Sequence, residues 1–332
     1  MLIRYSLAFM LVFVSTMILT PFFVTISRKF DFTDKPTERK KHIGPMPLVG
    51  GLVMFVAFSL GFFVFVFSTT PVLPSTSFLP HWFVFPAVLL GALLILSIGV
   101  IDDFYKSRGR EFPIWPRLIV KLAVASLAFA AGIRFVGFVN PFTDVYVYLN
   151  IWIQYILTIL WFVGLMTAFN FMDGLDGLAG LLALVSGTTF IVVALHLNQP
   201  NAAMLSVIFV AAVAGFLRYN LPPAKVYMGD SGAYLLGYVL AVISLYGAFK
   251  QATVISLAIP MLAMGVPIFD GILVVLRRVL AKKPAHVADS THITHLHFRL
   301  LKDGMKPAHV VMVIFLLSAC LNLVSIIIML AF

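Results

Sequence analysis

Long runs of apolar residues, separated by short polar segments, dominate the chain, and this pattern predicts membrane-spanning helices. About 20 consecutive apolar residues are enough to cross the hydrocarbon core of a bilayer. Ten such runs lie along the 332 residues, at about 2–26, 47–68, 82–101, 116–135, 151–169, 177–196, 201–217, 232–249, 253–275 and 308–331. We therefore expect an all-α polytopic membrane protein with about ten transmembrane helices, forming one integral-membrane domain over residues 1–332.

The composition agrees with this expectation. Hydrophobic residues make up 61% of the chain and charged residues 11%, too little polar surface to cover a soluble domain. The first run contains Pro21 and lacks a small-residue cleavage site, which indicates a retained helix rather than a removed signal peptide. The single cysteine, Cys320, excludes an internal disulfide and any metal site made of several cysteines.

The charges predict the orientation in the membrane. The basic segment 28–41 follows the first span and should stay in the cytoplasm by the positive-inside rule, so both termini should face outward. In that arrangement one side holds 20 of the 23 Lys and Arg and 12 of the 13 Asp and Glu. The exceptions are Arg4, Arg134, Lys250 and Asp144. We therefore expect the active surface to be cytoplasmic.

The net charge of +10 is consistent with three functions of the basic residues: they set the membrane orientation, they attract anionic headgroups and they bind a phosphate-bearing substrate. Nucleic acid is not an expected partner, because the basic residues are split among loops and interleaved with acids.

Carboxylates occur at every second span end, beginning with Asp102 and Asp103. Two adjacent carboxylates at a membrane edge repel each other unless a cation or a proton offsets their charge, which makes one of them a candidate base. The alternative is a solvated helix end with Lys106 and Arg108 as counter-ions.

A second motif runs from Asn170 through Asp173 to Asp176 and is interleaved with glycines. Carboxylates three residues apart share one face of a helix, and glycine lets the backbone approach a ligand closely. The alternative is that these carboxylates cap the N-terminus of the sixth span.

A third motif leads from Asn220 through two prolines to Asp230, which lies between Gly229 and Ser231. A helix that starts here offers N–H groups to phosphate, while Asp230 can hold Mg²⁺. A simple Asp or Ser cap is the alternative.

The last inner loop carries Asp289, His292, His295, His297 and Arg299. Histidines and arginines around a phosphate are favoured over a zinc site, because the usual ligand spacing is missing. A basic surface loop without a ligand is the third interpretation. Within the ninth span, Asp270 is expected to pair with Arg277 or Arg278.

These motifs together resemble the polyprenyl-phosphate N-acetylhexosamine-1-phosphate transferases, whose superfamily includes the phospho-N-acetylmuramoyl-pentapeptide transferases. The resemblance extends over nearly the whole chain. It rests on Arg39-Lys40-Lys41-His42 with Pro47 and Gly50-Gly51, Asp102-Asp103 with Lys106, Asn170 with Asp173-Gly-Leu-Asp176-Gly, Asn220 with Pro223-Ala224-Lys225, Met228-Gly-Asp230-Ser-Gly, Pro267 with Asp270, and the histidine cluster.

The resemblance implies Mg²⁺-dependent transfer of a sugar 1-phosphate, with Mn²⁺ as the alternative ion. The donor would be a UDP-amino-sugar, most consistent with UDP-N-acetylglucosamine, and the acceptor a polyprenyl phosphate such as undecaprenyl phosphate. It further implies a multi-pass protein of the bacterial inner membrane, in some cases a homodimer, that starts lipid-linked cell-envelope glycans such as lipopolysaccharide or teichoic acid.

The resemblance also assigns roles to residues. Asp230 is the expected metal ligand, with Asp173 beside it, and Asp102 or Asp103 is the acid that acts on the lipid phosphate. The expected substrate-binding residues are Lys106, Lys121, Asn170, Asp173, Asp176, Asn220, His295, His297 and Arg299.

Two positions depart from the family pattern. Phe298 stands where the last histidine of the final motif is expected, which leaves Asp289 three residues too early; alternatively, Asp289 and His292 keep the register and an insertion follows. Thr167 stands where relatives often have Asn. The first loop favours the N-acetylhexosamine branch over the pentapeptide branch. An ion-coupled transporter or flippase is the alternative from another functional class.

Overall fold

The computed structural model describes residues 2–34, 44–68, 81–140, 143, 145–247, 254–280 and 295–331. These residues form twelve helices and four short strands. In chain order they are α1 (Leu2–Lys29), β1 (Thr33–Asp34), β2 (Met46–Pro47), α2 (Gly50–Ser68), α3 (His81–Ser107), α4 (Ile114–Ala130), β3 (Gly137–Val139), β4 (Tyr146–Tyr148), α5 (Ile151–Met172), α6 (Leu178–His196), α7 (Pro200–Asn220), α8 (Gly229–Tyr246), α9 (Val254–Ala263), α10 (Gly265–Leu280), α11 (Leu296–Lys302) and α12 (Pro307–Ala331).

Within the described ranges, six helices are long and apolar enough to cross a membrane, namely α1, α3, α5, α6, α7 and α12, and α2 is a shorter apolar helix. The chain is therefore a polytopic helical membrane protein, as predicted. The count of ten spans and their orientation stay predictions.

The ninth predicted span is divided, because α9 ends at Ala263 and α10 begins at Gly265. Pro267 has no N–H to donate to the carbonyl four residues earlier, that of Ala263. A backbone carbonyl inside a membrane needs another donor. It accepts hydrogen bonds from Ser186 Oγ at 2.6 Å and from Asn322 Nδ2 at 3.0 Å. Helices α6 and α12 thereby fix the position of the break.

The same requirement joins α1 to α7. Pro21 interrupts the hydrogen bonds of α1 and leaves the carbonyl of Met17 without its helical donor. The hydroxyl of Tyr219, on α7, donates to that carbonyl at 3.0 Å. A proline inside one helix is thus compensated by a polar side chain from its neighbour.

Helix α8 lies at the centre of the bundle and is buried along nearly its whole length. It packs against α2, α3 and α5. The close approach of α5 involves Gly237, where an added Cβ would lie 2.6 Å from the carbonyl oxygen of Leu165 and from Met166 Cα. Only glycine allows the backbones of α5 and α8 to pass at this distance.

The four short strands were not predicted, because segments of two or three residues carry no measurable periodicity. Strands β1 and β2 pair antiparallel at the end of the bundle where α3 terminates. Strands β3 and β4 form a second antiparallel pair between α4 and α5, at the opposite end of these helices. The helical bundle remains the framework that positions the polar residues.

We expect Gly237→Ala to lower the free energy of unfolding by about 1–3 kcal/mol, the usual cost of overpacking a core, because the new methyl group meets the backbone of α5. Gly164→Ala is the matched control on α5, since an added Cβ there has no atom within 4 Å. Thermal unfolding of the detergent-purified variants measures both. Equal melting temperatures would contradict the close packing described here.

Candidate active site

Charged and amide side chains from four helices converge at one end of the bundle. The C-terminal ends of α3 and α5 meet the first turns of α4 and α8 there. The side chains are Asp102, Asp103 and Lys106 from α3, Arg117 and Lys121 from α4, Asn170 from α5 and Asp230 from α8. The structure therefore brings together residues from motifs that lie far apart in the sequence.

Asp103 fastens the start of α8 to α3. Its Oδ1 accepts from the backbone N–H of Asp230 at 2.8 Å, and its Oδ2 accepts from the N–H and the hydroxyl of Ser231 at 3.1 and 2.7 Å. These N–H groups belong to the first turn of α8, where an anionic group is favoured. Asp103, on α3, therefore caps the N-terminus of α8. Ser231, which hydrogen-bonds to Asp103, was not among the predicted site residues.

Asp230 is held between a cation and an amide. Lys106 Nζ makes an ion pair with Asp230 Oδ2, and Asn170 Nδ2 donates to Asp230 Oδ1 at 2.9 Å. The side chain of Asp230 is only 12% exposed, whereas that of Lys106 is 44% exposed. Lys106 therefore lies at the open side of this carboxylate, where a ligand can reach it.

Asp102 is fully buried and faces α4. Its Oδ2 accepts from Arg117 Nη1 at 3.0 Å, and its Oδ1 has no hydrogen-bond donor among the residues described. Arg117 is itself fixed by the backbone carbonyls of Phe112 at 2.9 Å and Pro113 at 3.3 Å. The predicted site omitted Arg117. The sequence signal for it was a basic residue in the first turn of α4, the helix that follows the acidic pair.

Lys121 lies deeper along α4 and is buried. Its ammonium donates to Thr167 Oγ1 at 3.1 Å and lies 4.1 Å from the ring centroid of Tyr234. Burying a cation is tolerated when a ring face and an acceptor replace water. Thr167, which departs from the family pattern, supplies that acceptor here.

Asp176 and Asn220 join the loops that border the site. Asp176 Oδ2 accepts from the N–H of Ala224 at 3.0 Å. Asn220 accepts from the N–H of Gly177 at 3.2 Å and donates to the carbonyl of Val226 at 2.9 Å. Both residues were predicted to bind substrate, and in the structure their side chains hydrogen-bond to backbone groups of these loops.

Tyr227 borders the site in the loop before α8. Burial, together with the negative charges of Asp176, Asp34 and Asp173, raises the pKa of Tyr227 to about 12. The phenol therefore stays protonated at any working pH and can act as a hydrogen-bond donor. Asp173, predicted as a metal ligand, is thereby placed near Tyr227 at the C-terminal end of α5.

The histidine motif lies against the turn between α5 and α6. Asp270 accepts from the ring of His295 at 2.8 Å and from the N–H of Leu296 at 2.7 Å. Asp270 was expected to pair with Arg277 or Arg278; its described hydrogen bonds are to α11, and the pairing with an arginine stays a prediction. His297 is fully buried and packs directly against Gly174.

Arg299 is exposed on α11. Several predicted residues lie outside the described ranges, so the register of the final motif stays open. They are the first-loop residues Arg39, Lys40, Lys41 and His42, and Lys282, Lys283, Asp289 and His292 of the last inner loop.

The donor set near Asp230 is of the type that hard cations prefer. Carboxylate and amide oxygens suit Mg²⁺, and the buried Oδ1 of Asp102 has no donor among the residues described. In the described part of the chain no three metal-ligating side chains converge, and Lys106 holds one oxygen of Asp230. The oxygen atoms near Asp230 are therefore of the chemical type that binds a divalent cation, provided that the ion pair between Lys106 and Asp230 is broken.

Comparison with known proteins gives a consistent result. The sequence profile of glycosyl transferase family 4 matches residues 85–248. A probable undecaprenyl-phosphate N-acetylglucosaminyl 1-phosphate transferase of Bacillus subtilis is 33% identical over 98% of this chain and 85% of its own length. A decaprenyl-phosphate N-acetylglucosaminephosphotransferase of Mycobacterium tuberculosis is 32% identical over 85% of this chain and 72% of its own. A phospho-N-acetylmuramoyl-pentapeptide-transferase of Listeria monocytogenes is 30% identical over 73% of each chain.

The two adjacent acids should differ in their effect on stability. Asp103→Asn leaves at least one N–H or O–H of α8 without an acceptor, which costs about 1–3 kcal/mol. Asp102→Asn keeps an oxygen for Arg117 and removes a buried charge, so we expect a smaller change. Thermal unfolding measures both, with exposed Glu111→Gln as the control. A larger loss for Asp102→Asn would contradict the capping role of Asp103.

Proposed function

Because the chain belongs to glycosyl transferase family 4, we propose that it transfers N-acetylglucosamine 1-phosphate from UDP-N-acetylglucosamine to undecaprenyl phosphate and releases UMP. The names of the similar proteins from B. subtilis and M. tuberculosis support the sugar phosphate and the polyprenyl acceptor. The observation that carries the proposal is the position of Asp230, which is held by Lys106 and Asn170 at the start of α8 and lies beside Asp102.

The charges around Asp230 fit a reaction between two phosphates. A lipid phosphate and a nucleotide diphosphate repel each other, so cations must offset their charge while they are brought into line. Lys106 lies at the exposed side of the site, and Arg117 and Lys121 lie on the adjacent helix α4. The first turn of α8 adds the positive end of a helix dipole.

The two adjacent acids have separate roles in this proposal. Both oxygens of Asp103 accept hydrogen bonds from α8, so Asp103 positions Asp230. Asp102 keeps one buried oxygen without a donor among the residues described, which suits it to accept the proton of the lipid phosphate or to orient that phosphate.

We favour direct attack over a covalent aspartyl intermediate. An oxygen of the lipid phosphate bonds to the phosphorus that carries the sugar, while the bond from that phosphorus to the bridging oxygen breaks. The bridging oxygen leaves with UMP. Lys106 and Asn170 engage both oxygens of Asp230, and a phosphate oxygen is already a good nucleophile, so a second displacement is not required.

We propose Mg²⁺ as the cofactor, with Asp230 as its main ligand and Asp173 as a second one, and Mn²⁺ as a substitute. A divalent cation supplies neutralisation of phosphoryl charge. Lys106 would release Asp230 when the ion is bound and would then be available to a phosphate. Asn170 would keep the carboxylate oriented in both states.

Two other activities are weaker candidates. A pentapeptide transferase is supported by the similarity to the Listeria protein, but that similarity covers less of the chain. An ion-coupled transporter places its site near the bilayer midplane. The carboxylates Asp102, Asp103 and Asp230 instead lie at helix ends, which favours a reaction at the membrane surface.

We further propose ten membrane spans, with both termini outside and the active site facing the cytoplasm of a bacterial inner membrane. The positive-inside rule supports this orientation. The product would then start a lipid-linked cell-envelope glycan on the side where UDP-sugars are made. A homodimer stays part of the proposal.

We expect the protein, purified in detergent, to release UMP from UDP-N-acetylglucosamine only when undecaprenyl phosphate and Mg²⁺ are both present. A panel with UDP-N-acetylgalactosamine and UDP-N-acetylmuramoyl-pentapeptide tests the donor. Release from the pentapeptide donor alone would favour the pentapeptide activity, and release from no donor would contradict the proposed reaction.

Asp230→Asn should lower kcat by two or more orders of magnitude, because the carboxylate that neutralises phosphoryl charge with the metal is lost. Lys106→Gln should raise the KM for a phosphate-bearing substrate. Steady-state UMP release measures both effects, with Glu111→Gln as the control that matches the charge change of Asp230→Asn. Near-normal turnover of Asp230→Asn at saturating Mg²⁺ would remove Asp230 from the metal site.

A further inference from the structure

Helix α11 is attached to the bundle by a buried carboxylate that belongs to a different helix. Asp270 lies on α10 and is only 5% exposed. Its two oxygens accept separately, one from the ring nitrogen Nδ1 of His295 and the other from the backbone N–H of Leu296. Asp270 therefore fixes both the start of α11 and the orientation of the His295 ring.

This arrangement determines which nitrogen of His295 is available to a ligand. A carboxylate only accepts hydrogen bonds, so Nδ1 carries a hydrogen and donates it to Asp270. The other nitrogen, Nε2, is then the one that can meet a substrate. When the ring is protonated, Nε2–H donates to an anionic oxygen while Asp270 balances the charge.

The pair is connected to the active carboxylate through α5. The His295 ring lies 4.8 Å from the ring of Phe171, and the neighbouring Asn170 donates to Asp230. The path from Asp230 to Asp270 thus runs through the adjacent residues Asn170 and Phe171 and across the ring contact between Phe171 and His295.

A carboxylate inside a membrane-embedded bundle is costly to bury and is retained where it has a specific role. Two roles are open to Asp270. It can hold the whole of α11 against the bundle, or it can orient the His295 ring in particular. His297 separates these cases, because it docks α11 through its packing against Gly174, whereas the hydrogen bonds described for Asp270 go to His295 and Leu296.

We propose that Asp270 is a positioning residue for the sugar-nucleotide donor: it holds His295 so that Nε2 hydrogen-bonds an oxygen of the donor diphosphate. This inference rests on the proposed function. It assigns a role to Asp270 beyond that of a structural anchor and confines that role to His295.

The test uses double-mutant cycles on the purified full-length protein. Asp270→Asn should lower kcat/KM for the UDP-sugar by about tenfold to a hundredfold, the loss expected for a hydrogen bond to a charged group. The KM for undecaprenyl phosphate should not change. Asp303→Asn, an exposed acid at the end of α11, is the matched control and should behave as wild type.

The cycles then separate positioning from docking. In a protein that already carries His295→Ala, Asp270→Asn should not lower kcat/KM for the UDP-sugar any further. In a protein that carries His297→Ala, Asp270→Asn should lower it as much as in the wild type. An undiminished loss in the His295→Ala background, or a vanishing loss in both, would overturn the proposal. Should Asp270→Asn fail to fold, Asp270→Glu carries the same comparison, with folding checked by melting temperature.

Failure of this inference can be distinguished from failure of the proposed function. If the wild-type protein releases no UMP from any UDP-sugar, the proposed function is wrong. If the wild type is active and Asp270→Asn is as active, only the role of Asp270 is overturned.

Discussion

Three hydrogen bonds to one carboxylate place the start of α8 against the end of α3, and the geometry of the charged groups follows from them. Asp103 accepts from two N–H groups and one hydroxyl at the first turn of α8. That contact fixes Asp230, which in turn orders Lys106 and Asn170. Asp102, next to Asp103 in the sequence, is turned toward α4 and Arg117 as a result.

The membrane imposes a second constraint, which concerns backbone carbonyls near prolines. Every backbone polar group surrounded by lipid needs a partner, so each proline inside a helix requires a donor from elsewhere. Tyr219 supplies it for Met17, and Ser186 with Asn322 supplies it for Ala263. These polar contacts add specificity to the packing of the helices that they join, since lipid tails are as apolar as the side chains.

The helices could be predicted from the sequence, because runs of about 20 apolar residues have few other stable structures in lipid. The division of the ninth span could not, because Pro267 breaks a helix only where neighbouring side chains can satisfy the exposed carbonyl. That depends on Ser186 and Asn322, which are distant in the sequence.

The site was predicted as a set of motifs, and the structure brings several of them together. Sequence could not separate Asp102 from Asp103, since their difference depends on which helix each one faces. It also could not identify Arg117, because a basic residue at a span start is ordinary in a membrane protein. Asp176 and Asn220 are residues of the type found in ligand sites. Their hydrogen bonds to the loop backbone could not be predicted, because they depend on the tertiary fold.

The divided ninth span has a consequence for how the protein is assembled in the membrane. Over the residues described, α9 and α10 contain 10 and 16 residues, and the carbonyl of Ala263, where they meet, has lost its helical donor to Pro267. One donor to that carbonyl, Asn322, belongs to α12, which is synthesised after α9 and α10. The pair of hydrogen bonds is therefore complete only once α12 has been inserted, and a chain that stops before α12 would leave the carbonyl of Ala263 with Ser186 as its one remaining donor among those described.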